Sequence, residues 1–498
     1  MNPFKKLAGQ TAIYGIPTIV GRLLTQFLTP LYTYGIYTTG EYGVVTSMYA
    51  YVSFLLVLLT YGMETALFRF SQSETDKDKV YSTSLISLLS TSVVFIVLAG
   101  MYAGPIASAI KLNGHGEYVM WFALILGADA IANITFAKLR EQNKAKRFAF
   151  IKSVNITAWI FLNVFFIWFC PRVHSHPDSS LYPLIEKVYN PAIGVGYIFI
   201  SNLIASVLTI VLLFPDMFRI RFSFDTVLWK RMMVYALPLL VAGMAGMVNE
   251  TMDRILLTYL LPADQAMSQV GIYGACYKVA IIMTVFIQTF RFAAEPFFFS
   301  HAKEKDAAQT YADIMKYFVI ICSIIFLGTM MNISWIQYFV GEPFREGMDV
   351  VPILLLANLC LGVFINQSIW YKLTGQTRYG ALLAIIGAFI TLGLNFYWIP
   401  RIGYMGSAWA TLVCYASMMV ISYFMGHKHY PVHYDLKRIL GYLALSLLLF
   451  ALAGQLEIGS DVLDLIVKNL LLVVFMGIVF IFERRNLPGF KNEGQNNK

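Results

Sequence analysis

Long apolar runs separated by short polar segments are the feature that most constrains how this chain can fold. A helix needs about twenty apolar residues to cross a bilayer, so these runs predict membrane-spanning helices. Only 13% of the 498 residues are charged and 58% are hydrophobic, which is too little charge to cover a sizeable soluble domain. The predicted spans, numbered 1 to 14 in chain order, are 10–34, 43–62, 82–103, 118–137, 148–169, 191–214, 234–260, 271–299, 314–338, 350–371, 379–399, 405–426, 439–455 and 463–482. The sequence therefore predicts an all-α, multi-pass membrane protein of about 14 transmembrane helices.

The distribution of lysine and arginine predicts which side of the membrane each loop faces. With the N-terminus placed in the cytoplasm, the inner segments hold 26 of the 37 basic residues, the outer segments hold 6 and the spans hold 5. If one span had been miscounted midway, basic residues would be distributed almost equally between the inner and outer segments. Both termini are therefore predicted to be cytoplasmic. Lys5 and Lys6 precede an apolar run too long for a signal peptide, so span 1 is interpreted as an uncleaved helix.

Several classes of function lack the motifs that they need. The net charge of +9 lies in short loops without a basic arm, so no nucleic-acid partner is expected. The five cysteines are scattered singly, and His174, His176 and Asp178 have a loosely metal-like spacing that is more typical of a solvated loop. The sequence also has no P-loop and no nucleophile elbow. Neither enzyme activity nor a metal or other cofactor is expected.

Short motifs recur along the chain at an offset near 231 residues. The repeated pairs are Tyr42-Gly43 with Tyr273-Gly274, Glu64 with Glu295, Lys138-Leu139 with Lys372-Leu373, Leu162-Asn163 with Leu394-Asn395, and Pro17 with Pro238. Because six spans per half is an even number, both halves start on the same side and form a parallel repeat. The predicted organisation is one half at 1–215, a second half at 216–430, spans 13 and 14 at 431–485, and a cytoplasmic tail at 486–498. The alternative is one irregular bundle with coincidental matches.

An arginine lies near the middle of span 1, where a charge facing lipid would be costly. At about 3.6 residues per turn it belongs to a polar face formed by Thr11, Gly15, Thr18, Arg22, Gln26, Thr29 and Thr33. This stripe favours the wall of a wet cavity, in which Arg22 and Gln26 bind substrate. The alternative is that Arg22 hydrogen-bonds carbonyls in a helix interface.

Span 7 carries a group of charges at membrane depth, formed by Glu250, Asp253 and Arg254 next to Asn249. Glu250 and Arg254 are spaced to form an ion pair along one face, which leaves Asp253 to find another partner or a proton. The functional interpretation is a coupling-ion or proton site at Asn249, Glu250 and Asp253, beside an anion-binding Arg254. A structural ion-pair cluster that ties the two halves together is the alternative.

Span 8 carries two cations in different settings. Arg291 and Glu295 are spaced for an ion pair, whereas Lys278 has no acidic neighbour in its own helix and needs an anion from elsewhere. A negatively charged substrate would supply that anion, so Lys278 and Arg291 are candidate substrate-binding residues. Asp129 in span 4 is also unpaired in its own helix, and a hydrogen bond across helices would explain it.

The order of several short motifs resembles a known family. The motifs are Pro30-Leu31-Tyr32-Thr33, Glu41-Tyr42-Gly43, the segment from Tyr61 to Phe70, and the segment from Gln142 to Asn163 with Ala145 to Lys152 inside it. They resemble the O-antigen and oligosaccharide flippases of the multidrug/oligosaccharidyl-lipid/polysaccharide (MOP) exporter superfamily, and the likeness covers essentially the whole chain.

This resemblance implies a V-shaped fold in which a central cavity opens alternately to each side of the bacterial inner membrane. The implied function is to move a polyprenyl-pyrophosphate-linked oligosaccharide from the cytoplasmic to the outer leaflet for surface polysaccharide biosynthesis. Arg22 matches a helix 1 arginine of related lipid-linked precursor flippases, and spans 13 and 14 would hold the lipid tail. Polysaccharide polymerase machinery is the implied protein partner. Coupling to H⁺ or Na⁺ is left open by the acidic face of span 7.

Two other functions compete with the flippase. A multidrug or metabolite cation antiporter of the same superfamily needs only about twelve spans and favours an acidic cavity. The presence of spans 13 and 14 and of the two cations Arg22 and Lys278 argues against such an antiporter. A polysaccharide polymerase or ligase generally needs a large outer loop, whereas the longest outer loop here, about 171–190, is short and lacks an acid/base pair. The flippase is therefore the preferred prediction.

Overall fold

The computed structural model describes residues 20, 21, 23–218, 222–302, 304, 306–456 and 460–484. Over these residues the chain is helical and contains no β-strand. Arg22 and residues 10–19 of predicted span 1 lie outside the described residues, and the last part of that span contains the helix Leu28–Thr33. The all-α architecture expected from the apolar runs is thus confirmed for the described chain.

Thirteen helices in the described residues are long and apolar enough to cross a membrane. They correspond to predicted spans 2 to 14, and each keeps its number below. Their bounds are Thr39–Ser73, Lys77–Met101, Gly116–Glu141, Ala145–His174, Gly196–Phe218, Thr226–Leu260, Ala263–His301, Ala307–Met331, Val350–Leu373, Arg378–Ile402, Tyr404–His429, Leu436–Ala453 and Asp461–Glu483. The prediction of a multi-pass membrane protein is therefore confirmed.

Two of these spans contain local breaks with identifiable causes. Span 2 divides into Thr39–Thr60 and Met63–Ser73, because Gly62 has a φ of 71°, a left-handed conformation that ends a helix. In span 5, Phe165–Phe169 forms a π-helical turn shortly before Pro171. Proline has no N–H to donate, so the regular ladder of hydrogen bonds cannot continue through this position.

Side-chain caps determine where several helices begin. Thr38 and Glu41 form a reciprocal capping box at the start of span 2. The carboxylate of Asp225 accepts hydrogen bonds from the backbone N–H groups of Val227 at 2.9 Å and Leu228 at 3.0 Å, at the start of span 7. Span 7 therefore begins several residues before the apolar run that predicted it.

The chain forms two compact units. The first consists of the described residues within Met1–Lys278, Val340–Gly347 and Gly380–Cys414. Inside it, spans 2 and 8 cross in close contact at Gly43 and Gly271. A Cβ atom on Gly43 would collide with the backbone oxygen of Met267, and one on Gly271 would collide with that of Thr39. Only glycine permits this backbone approach.

The second unit consists of the described residues within Val279–Phe339, Met348–Tyr379 and Tyr415–Lys498. Within it, span 14 is joined to span 9 by polar contacts near both of its ends. Asn469 and Asn332 exchange side-chain hydrogen bonds of 3.1 Å, and the buried Glu483 carboxylate lies 2.7 Å from Lys316 Nζ. The predicted halves at 1–215 and 216–430 were defined by a sequence repeat. The division into compact units does not test such a repeat, so the halves stay a prediction.

Candidate functional site

The predicted polar residues of span 7 and of the first part of span 8 lie in the first unit. Asp253 is buried, with 4% of its surface exposed, and its carboxylate has two partners. The hydroxyl of Tyr273 donates to Asp253 Oδ2 at 2.7 Å, and Arg254 Nη1 lies 3.4 Å from Asp253 Oδ1. A carboxylate with two such partners can stay charged inside the bundle.

The predicted ion pair between Glu250 and Arg254 is wrong. Arg254 Nη1 donates instead to the backbone carbonyl of Glu250 at 2.7 Å, while its charge is balanced by Asp253. Burial explains this choice, because Asp253 would pay a large desolvation cost without a cation, whereas the Glu250 side chain is exposed. The Arg254 guanidinium also lies over the ring of Tyr277, 4.3 Å from its centroid.

Lys278 is the cation of this region that keeps no acidic partner in the described chain. It is half-buried near the middle of span 8, and no carboxylate oxygen of a described residue lies within 4.0 Å of its ammonium group. An uncompensated cation at this depth favours an anionic ligand.

Span 8 is interrupted immediately after Lys278. Its two helical segments are Ala263–Val279 and Ile281–His301, separated at Ala280. Ala280 keeps right-handed backbone dihedrals, with φ −73° and ψ −7°, so the irregularity is local and span 8 continues as one helix of 39 residues. No proline or glycine marks this position in the sequence.

Asn249, predicted to take part in ion coupling, is occupied by contacts within the protein. Its amide donates to the backbone carbonyl of Ala384 at 3.1 Å, and its side-chain oxygen accepts from the Thr391 hydroxyl at 3.2 Å. Both partners lie in span 11, so the Asn249 side chain joins spans 7 and 11 inside the first unit. These contacts favour a structural role for Asn249, and its role in ion coupling stays a prediction.

Arg291 lies in the second unit, in a different setting from Lys278 and Arg254. The predicted ion pair with Glu295 is confirmed, with Arg291 Nε at 3.8 Å from Glu295 Oε2. Lys372 Nζ also approaches Glu295 Oε1, at 2.6 Å, which the sequence did not predict. Glu295 is thus shared by two cations, and the exposed Arg291 side chain keeps donors for a further anion.

The predicted residues of span 1 are only partly within the described chain. Gln26 is half-buried, and Arg22 lies outside the described residues. The predicted substrate-binding set therefore divides into Lys278, Arg254 and Gln26 in the first unit and Arg291 in the second.

Two features of the first half lie outside the predicted set. The hydrogen bond predicted for Asp129 is confirmed, because the Ser206 hydroxyl of span 6 donates to Asp129 Oδ1 at 2.8 Å. Lys152 of span 5 lies 4.5 Å above the ring centroid of Phe136, and no described carboxylate forms an ion pair with it. Lys152, like Lys278, is a charged residue inside an apolar run, so the same reasoning from the sequence could have identified it as a candidate.

No group of three or more His, Cys, Asp or Glu residues that could hold a metal ion occurs among the described residues. In the loop between spans 5 and 6, the ring of His174 stacks on that of Tyr182 with centroids 5.7 Å apart, and His176 hydrogen-bonds the backbone of Arg172.

Two kinds of solved membrane protein have a similar fold. The lipid II flippase MurJ in its inward closed conformation superposes with a TM-score of 0.73 and 13% identity, over 95% of this chain and 98% of that one. An inward-facing multidrug resistance transporter of the MATE family of the MOP superfamily gives a TM-score of 0.63 and 13% identity, over 84% of this chain and 94% of that one. A MATE structure in the bent conformation gives a TM-score of 0.58 and 14% identity, over 89% of this chain and 97% of that one. Identities this low establish the fold alone.

The family is established by sequence. Residues 7–301, more than half of the chain, match the profile of the polysaccharide biosynthesis protein family. No match is found among curated protein sequences. The chain therefore belongs to the polysaccharide biosynthesis protein family.

Proposed function

We propose that this protein is a flippase that moves a polyprenyl-pyrophosphate-linked oligosaccharide from the cytoplasmic to the outer leaflet by alternating access, for surface polysaccharide biosynthesis. The observation that carries the proposal is Lys278, a cation at membrane depth beside a local irregularity of its helix and without an acidic partner in the described chain. Membership of a polysaccharide biosynthesis family and a fold shared with the lipid II flippase MurJ support it.

The pyrophosphate group is the part of such a substrate that most needs the protein. It carries at least two negative charges, and a medium of low dielectric constant makes their transfer prohibitive without fixed donors. In this proposal Lys278 and Arg22 bind the pyrophosphate, Gln26 and Arg254 contribute donors, and Arg291 binds an anionic group at another depth of the pathway. Arg254 is the weakest of these cations, because Asp253 already balances its charge.

The crossing of spans 2 and 8 supports alternating access. Besides the contact at Gly43, the hydroxyls of Thr39 and Ser268 hydrogen-bond at 2.7 Å, so the two predicted halves meet there within the first unit. Residues of this crossing lie at the predicted outer ends of their spans. For the substrate to leave on the outer side, these contacts between spans 2 and 8 have to separate.

We further propose that Asp253 and Glu250 couple transport to H⁺ or Na⁺, with Asn249 holding span 7 in place. Asp253 is a buried carboxylate whose partners are a neutral hydroxyl and one cation, and Glu250 is an exposed carboxylate one helical turn away. Glu250→Gln and Asp253→Asn are each expected to abolish transport at normal protein abundance. Full transport by both variants would contradict this coupling role.

Localisation and partners complete the proposal. The protein is placed in the bacterial inner membrane with both termini in the cytoplasm, where basic residues predominate. Polysaccharide polymerase machinery on the outer side would receive the flipped substrate. A strain lacking the gene should accumulate one lipid-linked glycan in the inner leaflet, and the identity of that glycan names the substrate.

The decisive experiment measures flipping in proteoliposomes that contain a fluorescent polyprenyl-pyrophosphate oligosaccharide. An impermeant glycosidase reports the fraction of substrate that has crossed. Lys278→Met should reduce the initial rate about tenfold or more, because it removes a charge-assisted hydrogen bond. Lys278→Arg should keep most of the rate.

Lys77→Met is the matched control, since Lys77 is exposed and paired with Glu141 at 2.7 Å, outside the predicted apolar runs. It should flip at the wild-type rate. A Lys278→Met variant that flips as fast as this control would contradict the role of Lys278 and remove the main support for the proposal.

Arg22 supplies a second test of the same proposal. Arg22→Ala should eliminate flipping while leaving membrane insertion and abundance near normal. Arg22→Lys should keep part of the activity, because lysine retains the charge but lacks the planar fork that matches phosphate oxygens. Wild-type flipping by the alanine variant would mean that Arg22 is not a pyrophosphate ligand.

Export of an organic cation is the second candidate function, and one observation favours it. The Glu250 carboxylate is exposed and forms no ion pair with a described residue, so it could receive a cationic substrate. A cation antiporter would lose export in Glu250→Gln and keep it in Lys278→Met, whereas the flippase requires Lys278.

A further inference from the structure

A short helix in the loop between spans 5 and 6 has an exposed apolar face. The helix is Tyr182–Val188, with Leu181 as its N-terminal cap residue. Leu181, Leu184 and Val188 are 44%, 62% and 49% exposed, although large apolar side chains in a loop normally pack on the protein. At about 3.6 residues per turn these three side chains lie on one face.

The other side of this loop helix is polar. Glu186 is exposed and lies opposite the apolar face, whereas the exposed Lys187 borders that face on one side and Ile185, which is 2% exposed, borders it on the other. Ile185 therefore attaches the helix to the protein and leaves the rest of its apolar face uncovered. The segment is amphipathic in the way expected of a helix that lies in a membrane interface.

The position of the loop helix is fixed by aromatic contacts with the ends of the adjacent spans. The ring of Tyr182 stacks on His174, the last residue of span 5, with centroids 5.7 Å apart. On the far side of the helix, Tyr189 stacks on Tyr197 of span 6 at 5.1 Å, and Tyr197 stacks on Phe166 of span 5 at 4.8 Å. The helix is thus held at the point where span 5 ends and the bilayer surface must lie.

Span 5, to whose end the loop helix is attached, has an exposed apolar stripe of its own. Phe161, Val164 and Trp168 are 65%, 39% and 45% exposed and follow one stripe of that span toward the loop. At the end of the stripe the Arg172 guanidinium lies 3.9 Å from the centroid of the Trp168 ring. Tryptophan and arginine are residues that anchor span ends at the level of lipid headgroups.

We propose that the helix Tyr182–Val188 lies in the membrane interface, with Leu181, Leu184 and Val188 inserted among the acyl chains and Glu186 and Lys187 in the headgroup region. The partner is the lipid surface itself, because the helix is attached at the end of a membrane-spanning helix whose own exposed apolar stripe ends in Trp168 and Arg172. Through the aromatic contacts this insertion fixes the adjoining ends of spans 5 and 6 at a constant depth. The proposal does not depend on the transported substrate or on which side of the membrane the loop faces.

Spin labels on the full-length protein in phospholipid nanodiscs test this placement. Leu184→Cys probes the apolar face, and Glu186→Cys, two residues away on the same helix, is the matched control. Power saturation compares the accessibility of each label to oxygen, which concentrates in lipid, and to a nickel chelate, which stays in water. Labelled wild-type protein gives the background of its native cysteines, of which four are buried and Cys360 is half-buried.

The expected result is an inversion between the two positions. The label at position 184 should be more accessible to oxygen than to nickel, and the label at position 186 more accessible to nickel. Greater nickel accessibility at position 184 would place the face in water and overturn the proposal. Protection of position 184 from both reagents would show that protein, such as a second copy of the chain, covers the face, and would also overturn it. Neither measurement involves transport, so the flippase proposal is tested separately.

Discussion

At the scale of single residues, Asp253 and Arg254 show how burial selects between partners. Spacing along a helix allows Arg254 to reach either Glu250 or Asp253, and the described structure pairs it with the buried one. Tyr273 adds the second contact to Asp253, from span 8 to span 7. The spacing of charged residues along one helix is therefore not enough to predict their ion pairs when a second helix supplies a further hydrogen-bond donor.

Tyr273→Phe should destabilise the protein, because it removes the hydroxyl that donates to the buried Asp253 carboxylate at 2.7 Å. A hydrogen bond to a charged group contributes about 1.5–3 kcal/mol, so a clear fall in the thermal unfolding midpoint is expected in detergent. Tyr397→Phe is the control, since the Tyr397 side chain is 56% exposed. Equal midpoints for the two variants would mean that the Tyr273 hydroxyl does not stabilise Asp253.

Asp225 gives a prediction about pH at the start of span 7. A hydrogen bond from Lys79 and two backbone N–H groups hold the pKa of the Asp225 carboxyl below its ordinary value. A depressed carboxyl pKa contributes stability above the unfolded-state value, near 3.9, and that contribution is lost as the pH falls through the lower pKa of the folded state. Asp225→Asn should therefore lower the unfolding midpoint at neutral pH and reduce its decline in acid.

The control for this pH prediction is Asp178→Asn, in the exposed loop between spans 5 and 6. The control should reproduce the wild-type dependence of the unfolding midpoint on pH. A dependence for Asp225→Asn that matches that of the control at every pH would contradict the stabilising role of the Asp225 cap.

The limits of sequence-based prediction are clearest for the charged residues. Arg291 and Glu295 were paired correctly because both partners lie on one helix face at a spacing that brings them together. Lys372, the second cation on Glu295, lies on another span, and the sequence contains no measure of that distance. The same reason explains why Tyr273 was missed as a partner of Asp253, although both residues lie in predicted spans.

At the scale of helices, hydropathy located the spans but not all of their ends or breaks. Span 7 was predicted at 234–260 and is helical from Thr226 to Leu260, because Asp225 caps a polar first turn that lies outside the apolar run. Apolar length reports the part of a helix in lipid, whereas capping determines where the helix begins. The break at Ala280 has no proline or glycine to mark it, so only the structure reveals it.

The crossing of spans 2 and 8 predicts opposite effects for two glycines on one helix. Gly43→Ala should destabilise the protein by about 1–3 kcal/mol, since its Cβ would meet the backbone of Met267, which cannot rotate away as a side chain could. Gly40→Ala has open space around its Cβ and should be neutral or stabilising by up to about 1 kcal/mol.

The unfolding midpoints of the Gly43→Ala and Gly40→Ala variants, measured side by side, test this helix contact. A Gly43→Ala protein at least as stable as Gly40→Ala would show that spans 2 and 8 do not approach as closely as described. The sequence had marked Gly43 as part of a repeated motif, and the crossing supplies a physical reason for glycine there.

At the scale of the whole molecule, similar contacts at matching positions support the predicted repeat. In the first unit Arg140, near the end of span 4 and two residues after Lys138, pairs with Glu64 at 2.5 Å. In the second unit Lys372, the repeat counterpart of Lys138, pairs with Glu295 at 2.6 Å. The paired positions Asn163 and Asn395 behave alike as well, because each amide donates to the backbone carbonyl four residues earlier. One irregular bundle would not require these parallels.

The topology of the whole chain is the property that follows most directly from the sequence and can be tested most simply. The excess of 26 inner over 6 outer basic residues predicts that the loops containing positions 182 and 265 face outward and those containing 143 and 306 face the cytoplasm. Each span takes the chain to the other side of the membrane, so one span too many or too few would move every later loop to the opposite side. In intact cells, an impermeant maleimide should therefore label Tyr182→Cys and Gln265→Cys and should leave Asn143→Cys and Asp306→Cys unlabelled until the cells are opened. Labelling of the second pair in intact cells, with protection of the first, would reverse the orientation and place the proposed substrate path in the opposite direction.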